Sequence, residues 1–123
     1  RDNMDCIFCK IIAGEIPAYK IYEDDLVLAF LDVHPDSNGH TLIIPKKHTL
    51  DLETIDSETL AHIMDVAKII KKKLEDKLHI SGVTLIQNNG NVQEVKHYHL
   101  HLKPHYEPEQ EIVDVEKIYD KLK

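Results

Sequence analysis

The hydrophobic pattern of this chain changes its period at Ser57, and that change limits the folds open to it. From Ser57 onward, apolar residues recur at intervals of three and four with charged residues between them: Leu60, Ile63, Met64, Ala67, Ile70 (or Ile69), Leu74 and Leu78. This spacing predicts an amphipathic helix of about five turns. Asp56 or Ser57 can cap its first turn, and Glu58 suits the positive end of its dipole.

Strand-like runs lie on both sides of this helix. They are KIYEDD, LVLAFLDV, HTLIIP, GVTLIQN and HYHLHLKP, separated in part by the turn clusters Glu23-Asp24-Asp25, HPDSNG and Asn89-Gly90. Hairpin-length connections between several runs favour antiparallel pairing. Short helices are predicted from Cys6, stopped by Gly14 and Pro17, and from Val113 to Leu122. The expected fold class is α+β, a five-stranded antiparallel sheet with one long helix and short terminal helices.

The length and charge of the chain exclude several classes of protein. Its 123 residues fit one domain. Arg1-Asp2-Asn3 is interpreted as a leftover ahead of Met4, so the single domain is predicted to span 4–123. A formal net charge of −7 argues against nucleic-acid binding, which needs a basic surface. The apolar runs are too short to span a membrane, and no signal-peptide pattern opens the chain.

Cys6 and Cys9 are the two cysteines of the chain, in the spacing C-x-x-C. A secreted disulfide framework normally uses more cysteines. The pair therefore indicates a reducing, cytoplasmic setting, with metal binding and redox chemistry as open functional options.

The stretch KHYHLHLKPH places His97, His99 and His101 at alternate positions. A metal site, a catalytic site and a solvent-facing polar strand are the three explanations open. Alternate strand residues are spaced roughly 6.6 Å apart, whereas zinc holds nitrogen ligands at roughly 2.0–2.1 Å, so three histidines of one regular strand do not converge easily on one ion. Separate roles along an extended phosphate ester fit better, because imidazole is nucleophilic near neutral pH and its protonated form binds phosphate oxygens.

HYHLHLK resembles the signature of the histidine-triad (HIT) family, His-φ-His-φ-His-φ-φ, where φ is apolar. IFCKIIAGEIPAYKIYEDDLVLAFLDVHP and GHTLIIPKKH are similar to the Hint branch of that family, as is Gln93-Glu94-Val95. The similarity covers most of residues 5 to 105 and implies a HIT-like fold and a homodimer. It also implies a hydrolase of purine nucleoside monophosphate derivatives, foremost a nucleoside phosphoramidase that releases AMP or GMP. The alternatives are a dinucleoside polyphosphate hydrolase, a nucleotide-binding protein with incidental turnover and a zinc-stabilised binding module.

The resemblance also implies roles for individual residues. His99 matches the nucleophile that forms a nucleotidyl-histidine, and His101 matches the histidine that contacts phosphate oxygens and assists the leaving group. Asp32 matches the residue that holds the ribose hydroxyls. The implied nucleotide-binding residues are Ile7, Phe8, Ile11, Phe30, Asp32, Val33, Asn88, Glu94, Val95, His99 and His101. By residue type alone, the apolar members fit a core, and Asp32 and Asn88 fit turns.

Cys6, Cys9, His48 and His97 complete a set that the resemblance relates to zinc. Bacterial HIT proteins with C-x-x-C and the related galactose-phosphate uridylyltransferases carry zinc in a matching arrangement. A Cys₂His₂ set is tetrahedral and closed, so the implied role of the ion is structural. The alternative is a pair of reduced thiols at the start of a helix without a metal.

The sequence departs from the family pattern at the end of the histidine strand and in the loop before it. Lys103 stands at the last apolar position of the motif. The loop from Asn89 to Gln93 is shorter than usual, with Val92 in place of a glycine. Lys96 and Pro104 resemble the dinucleoside polyphosphate hydrolase (Fhit) branch, and the chain lacks the tryptophan of eukaryotic Hint proteins. These departures bear on the leaving group rather than on the chemistry at the α-phosphate.

Overall fold

A computed structural model describes residues 5–123, so the interpretation of Arg1-Asp2-Asn3 as a leftover lies outside the described residues. The elements in chain order are α1 (Ile7–Ile12), β1 (Lys20–Glu23), β2 (Val27–Leu31), β3 (Thr41–Pro45), α2 (Ser57–Leu78), β4 (Gly82–Gln87), a 3₁₀ turn (Gly90–Val92), β5 (Leu100–His105) and α3 (Val115–Leu122).

The five strands form one antiparallel sheet in the order β1-β2-β3-β5-β4. Neighbours in the chain pair with each other except at the centre, where β3 pairs with β5 and Leu42 lies opposite His101. The predicted α+β class, the five-stranded antiparallel sheet and the short helices near both ends are therefore confirmed. Strand β4 lies at an edge of the sheet.

Both faces of the central strands are covered, which explains their unbroken apolar runs. Every residue of β2 and of β3 is buried. One face packs against α2 and α3 through a cluster that includes Ala29, Ile43 and Leu102. The other face packs against α1 through Phe8, Ile11, Leu28, Phe30, Leu42 and Ile44. A strand buried on both sides has no reason to alternate polar and apolar residues.

Helix α2 begins where the sequence pattern predicts, because Asp56 caps it by accepting a hydrogen bond from the Thr59 N–H at 2.8 Å. Its buried residues are Ile63, Val66, Ala67, Ile70, Leu74 and Leu78. The inclusion of Met64 in the apolar face is wrong, since Met64 is 42% exposed. Ile70, rather than Ile69, faces the core. No helix in the described part of the chain is long and apolar enough to cross a membrane.

The histidine-rich strand begins later than its alternation predicts. Strand β5 starts at Leu100, so His97 and His99 precede it in irregular backbone. The cause is the hydrogen bonding of this backbone, because the Tyr98 N–H donates to the distant Thr49 carbonyl at 2.7 Å and the His97 N–H donates to the nearby Val95 carbonyl at 2.8 Å. These hydrogen bonds take the place of the pairing with a neighbouring strand that would have extended β5 back to His97. Helix α3 begins at Val115, two residues later than predicted.

The loop between β2 and β3 is anchored by Asn38 to the chain that follows β5. The buried Asn38 amide donates to the Glu111 carbonyl at 2.9 Å and accepts from the Val113 N–H at 2.9 Å. The Tyr106 hydroxyl donates to the Asn38 carbonyl at 2.6 Å. Gly39 follows in a left-handed conformation with φ of 91°. These contacts fix the backbone that leads into His40.

Candidate active site and metal centre

A cavity of about 490 Å³ lies between α1 and the adjacent face of the sheet. Helix α1, strand β2, the loop after β2, strand β5 and the loop before β5 all contribute to its wall. The structure brings every predicted nucleotide-binding residue to this wall: Ile7, Phe8, Ile11, Phe30, Asp32, Val33, Asn88, Glu94, Val95, His99 and His101. Their nucleotide-binding role stays a prediction.

One end of the cavity is apolar. The rings of Phe8 and Phe30 meet edge to face with their centroids 5.6 Å apart. Phe8 and Phe30 belong to the core cluster beneath α1 as well as to the cavity wall, so the core interpretation holds for them together with Ile11. It fails for Ile7 and Val33, which are 47% and 57% exposed. Exposed apolar side chains at a cavity rim are suited to cover a flat aromatic base.

His99 is held by the backbone immediately before it. Its Nδ1 lies 2.8 Å from the His97 carbonyl oxygen, which can only accept, so Nδ1 carries the proton. The lone pair is therefore on Nε2, in a ring that lines the cavity. Burial lowers the pKa of His99, and the carbonyl of His97 and the charges of Asp32 and Glu94 oppose that shift. A neutral imidazole with a fixed tautomer is a competent nucleophile.

His101 is oriented by His40, a residue that the sequence analysis does not name. The backbone N–H of Asp36 donates to His40 Nδ1 at 3.0 Å, so the proton of His40 is on Nε2. That Nε2–H donates to His101 Nδ1 at 2.9 Å. His101 is thereby left with its proton on Nε2, as a hydrogen-bond donor in the cavity wall.

The environment keeps both of these rings uncharged near neutral pH. Burial lowers the pKa of His101 to about 4, with further lowering by His99, His40 and Lys103 and partial opposition from Asp32. Burial also lowers the pKa of His40, against the opposing charges of Asp32 and Asp36. Of the His99 and His101 rings in the cavity wall, His99 therefore presents an imidazole lone pair and His101 an imidazole N–H.

Asp32 has two roles in the structure. Its Oδ1 accepts from the His34 N–H at 2.9 Å, which is the turn role expected from residue type. Its Oδ2 lies 3.7 Å from His40 Nε2, and the side chain is 21% exposed and lines the cavity. Oδ2 is thus not used by the turn, and the predicted contact of Asp32 with ribose hydroxyls stays a prediction.

The short loop before β5 is held by its own side chains. Lys96 donates to the Gly90 carbonyl at 2.9 Å and to the Gln93 carbonyl at 2.8 Å. The buried Gln93 amide donates to the Leu50 carbonyl at 2.7 Å. Lys96 is therefore tied to the loop backbone, and it is not among the cavity-lining residues. Glu94 is exposed at the cavity edge, and Asn88 is partly buried there.

The predicted metal ligands come together beside this cavity. Ligand atoms of Cys6, Cys9, His48 and His97 lie within 4.8 Å of one another. His97 Nδ1 lies 3.4 Å from Cys6 Sγ and 3.7 Å from Cys9 Sγ, and Cys9 Sγ lies 3.2 Å from His48 Nδ1. Tetrahedral zinc with bonds of roughly 2.0–2.3 Å places its ligands roughly 3.3–3.8 Å apart, so the donor set fits zinc.

The backbone also fixes the tautomer of His97. Its Nε2 lies 2.8 Å from the Pro45 carbonyl oxygen, so Nε2 carries the proton and the Nδ1 lone pair faces the cysteines. Burial lowers the pKa of His97 to about 4, with the Pro45 carbonyl opposing the shift. A ring that stays neutral and is oriented by a carbonyl is suited to ligate a metal.

Comparison with known proteins shows the family of the chain. The family model described as the HIT domain matches residues 13–108. The chain belongs to the HIT family. Among HIT relatives, an uncharacterised HIT-like protein of Methanocaldococcus jannaschii is 47% identical over 112 residues, which cover 88% of this chain and 84% of that protein. The adenosine 5'-monophosphoramidase of Saccharomyces cerevisiae is 45% identical over 101 residues, which cover 80% of this chain and 61% of the yeast protein.

A solved structure of a zinc-bound histidine triad family protein from Mycobacterium smegmatis has the same fold. It superposes with a TM-score of 0.89 at 37% identity and covers 97% of this chain and 91% of that one. The HIT fold therefore extends over nearly the whole chain. His40 lies within the block GHTLIIPKKH that is similar to Hint proteins, so its position in that block was the signal that could have identified it.

Proposed function

We propose that this HIT protein is a purine nucleotide-binding hydrolase that acts at the α-phosphate, with nucleoside 5'-phosphoramidates as substrates and AMP or GMP as products. The observation that carries the proposal is the bond from His99 Nδ1–H to the His97 carbonyl at 2.8 Å, which leaves Nε2 as the unprotonated nitrogen of a cavity-lining ring. The similarity to the yeast adenosine 5'-monophosphoramidase supports the choice of substrate.

In the first step, the Nε2 lone pair of His99 attacks the α-phosphorus and forms a nitrogen–phosphorus bond. The bond from phosphorus to the amide nitrogen breaks, and that nitrogen, which takes one proton from solvent before it departs, leaves as ammonia. The Nε2–H of His101 donates a hydrogen bond to a phosphate oxygen and stabilises the charge that builds up there. Splitting one displacement into two lowers the barrier of each.

In the second step, water attacks the phosphorus of the nucleotidyl-histidine. The electron pair of the nitrogen–phosphorus bond returns to His99 Nε2, the water proton passes to solvent, and the nucleoside monophosphate is released. The carbonyl of His97 keeps the proton on Nδ1 throughout, so the same lone pair is restored for the next cycle.

The test is turnover of adenosine 5'-phosphoramidate, beside diadenosine polyphosphates, by the native protein and by His99→Ala. We expect the native protein to cleave the phosphoramidate and His99→Ala to lose more than about 10³-fold in kcat, since a nucleophile is removed. His105→Ala is the matched control, because His105 lies on β5, the strand that follows His99, but outside the cavity wall. Mass spectrometry of protein quenched at neutral or alkaline pH, where the acid-sensitive adduct survives, should show a nucleotidyl group on the native protein and on His105→Ala but none on His99→Ala.

Other outcomes would change the proposal. Preference for diadenosine polyphosphates would replace the phosphoramidase by a dinucleoside polyphosphate hydrolase. Tight AMP binding without turnover of either substrate would leave a nucleotide-binding protein and remove the mechanism.

We further propose that Cys6, Cys9, His48 and His97 hold a structural zinc ion. The interatomic distances and the tautomer of His97 support this assignment. The ion, when bound, joins α1 to the segments after β3 and before β5, and takes no part in the reaction. Metal analysis of protein purified without chelator tests the assignment, and fully active, reduced protein without zinc would contradict it.

We also propose a cytoplasmic homodimer. Edge strand β4 exposes Leu85 at 40%, and the outer side of α2 exposes Met64 at 42% and Ile69 at 52%. An open sheet edge beside apolar side chains favours pairing with a second copy. Light scattering that gives the monomer mass would contradict the dimer. A reducing compartment suits the pair of metal-binding cysteines.

A further inference from the structure

The departure of Lys103 from the family motif places a cation in the active-site cavity. In β5, buried residues alternate with partly exposed ones, and Lys103 lies two positions beyond His101 on the same face. Both side chains line the cavity. Two strand positions span roughly 6.6–7 Å, so Lys103 follows His101 along the wall on the side away from His99.

Lys103 is the sole lysine or arginine among the cavity-lining residues of the described chain, where Asp32, Asp36 and Glu94 supply negative charge. A nucleoside monophosphate derivative with a neutral leaving group brings little charge to the part of the cavity at Lys103. A leaving group that is itself an oxyanion adds charge just beyond the α-phosphate, where a cation is needed to bind it.

Asp36 holds the Lys103 ammonium in position without using all its donors. The Lys103 Nζ lies 2.7 Å from Asp36 Oδ2, and the Lys103 side chain is 26% exposed whereas that of Asp36 is 64% exposed. An ammonium has three N–H donors, so two stay available to other acceptors. The carboxylate therefore fixes the ammonium from the solvent side, and the remaining donors can serve a ligand in the cavity.

We propose that Lys103 forms a leaving-group subsite for oxyanions, which extends the substrates of this protein to nucleotides whose α-phosphate carries a second phosphate or a comparable anion. The inference rests on the proposed function, because it takes the α-phosphate to lie at His99 and His101. The apolar residue of the family motif at this position could not supply such a contact.

The test compares equilibrium binding of AMP and of α,β-methylene-ADP, which carries a second phosphate on a bond that is not cleaved. We expect the native protein to bind the methylene analogue about tenfold more tightly than AMP, the effect of a charge-assisted hydrogen bond. Lys103→Met, which keeps the length of the side chain, should reduce this ratio to about one, and Lys103→Arg should retain most of it.

Lys46→Met is the matched control. The Lys46 side chain is 27% exposed and pairs with Glu23 at 2.8 Å, closely like the Lys103 pair, but it lies outside the cavity wall. The ratio in Lys46→Met should equal that of the native protein. Turnover should follow binding, with a loss in kcat/KM on Lys103→Met that is about tenfold greater for diadenosine triphosphate than for adenosine 5'-phosphoramidate.

The two proposals fail in different ways. If the native protein binds AMP and cleaves the phosphoramidate, but Lys103→Met leaves the binding ratio unchanged or weakens both ligands equally, the oxyanion subsite is overturned and the proposed function stands. If the native protein binds neither nucleotide, the proposed function is overturned and the subsite with it.

Discussion

At the residue scale, Asp24 is a carboxylate that collects hydrogen bonds from three parts of the fold. It accepts from the Tyr22 hydroxyl at 2.8 Å, from His62 of α2 at 2.6 Å and from the backbone N–H groups of Leu26 and Val27 at 2.8 and 2.9 Å. Burial alone would raise the pKa of Asp24, but these hydrogen bonds outweigh it and hold the pKa well below its usual range.

The pH dependence of stability follows from that shift. Because the folded pKa is depressed, the contribution of Asp24 is complete above the ordinary value of 3.8 and declines as pH falls below it toward the folded pKa. We expect Asp24→Ala to lower the free energy of unfolding by about 2 kcal/mol at pH 7. Denaturant melts should show this deficit shrinking below pH 4. Asp25→Ala, at the exposed neighbouring carboxylate, should show little deficit; equal deficits would contradict the prediction.

Gly39 is required for both its conformation and its lack of a side chain. Its φ is 91°, and an added Cβ would lie 2.8 Å from Leu78 Cδ1 and 3.3 Å from Pro104 Cγ. We expect Gly39→Ala to lower the free energy of unfolding by about 2–3 kcal/mol and to reduce turnover, because His40 follows directly. Gly14→Ala separates the two causes, since Gly14 has a φ of 81° and open space around it. A thermal melt in which both variants lose the same stability would rule out the steric contribution.

At the element scale, α2 shows that a shift of one position along a helix turns a buried side chain into an exposed one. Ile70 is 1% exposed, and its neighbour Ile69 is 52% exposed. We expect Ile70→Ala to cost about 2–5 kcal/mol of unfolding free energy and Ile69→Ala less than about 1 kcal/mol. Chemical denaturation measures both. If Ile69→Ala instead loses a large part of its unfolding free energy, and the loss depends on protein concentration, a second copy of the chain covers this side of the helix.

The helices and strands also show which parts of the fold could be predicted from the sequence. The change of period at Ser57 and the Asp56 cap located α2, and the apolar runs located β2 and β3. The late start of β5 could not be predicted, because it depends on a hydrogen bond from Tyr98 to Thr49, a partner distant in sequence. His40 was overlooked for the same kind of reason, since its partner His101 is 61 positions away.

At the scale of the whole molecule, the proposed zinc ion would connect three distant parts of the chain. Cys6 caps α1 and Cys9 lies within it, His48 follows β3, and His97 precedes β5. Removing zinc with a strong chelator should lower the Tm by several degrees or more, because an ion bound only by the folded chain stabilises it by mass action. Cys6→Ser should abolish the response to chelator. A Tm that is the same with and without chelator in zinc-loaded protein would contradict the prediction.

The central pairing of β3 with β5 has a consequence for the order of folding. Strands β1, β2 and β3 pair with one another in the first half of the chain, and β4 pairs with β5 in the second half. The pairing of β3 with β5 joins the two halves. Long loops close slowly, so the β3-β5 pairing, which is the seam between the two halves, is expected to form late. The contact between His40 and His101 crosses that seam, as does the one between Cys6 and His97.

Refolding followed by activity should therefore lag behind refolding followed by circular dichroism, and simultaneous recovery would contradict a late seam. The contact between His40 and His101 is then expected to form at the same step as the longest-range strand pairing of the sheet. A chain stalled before that step carries both histidines but leaves His101 without the partner that orients it.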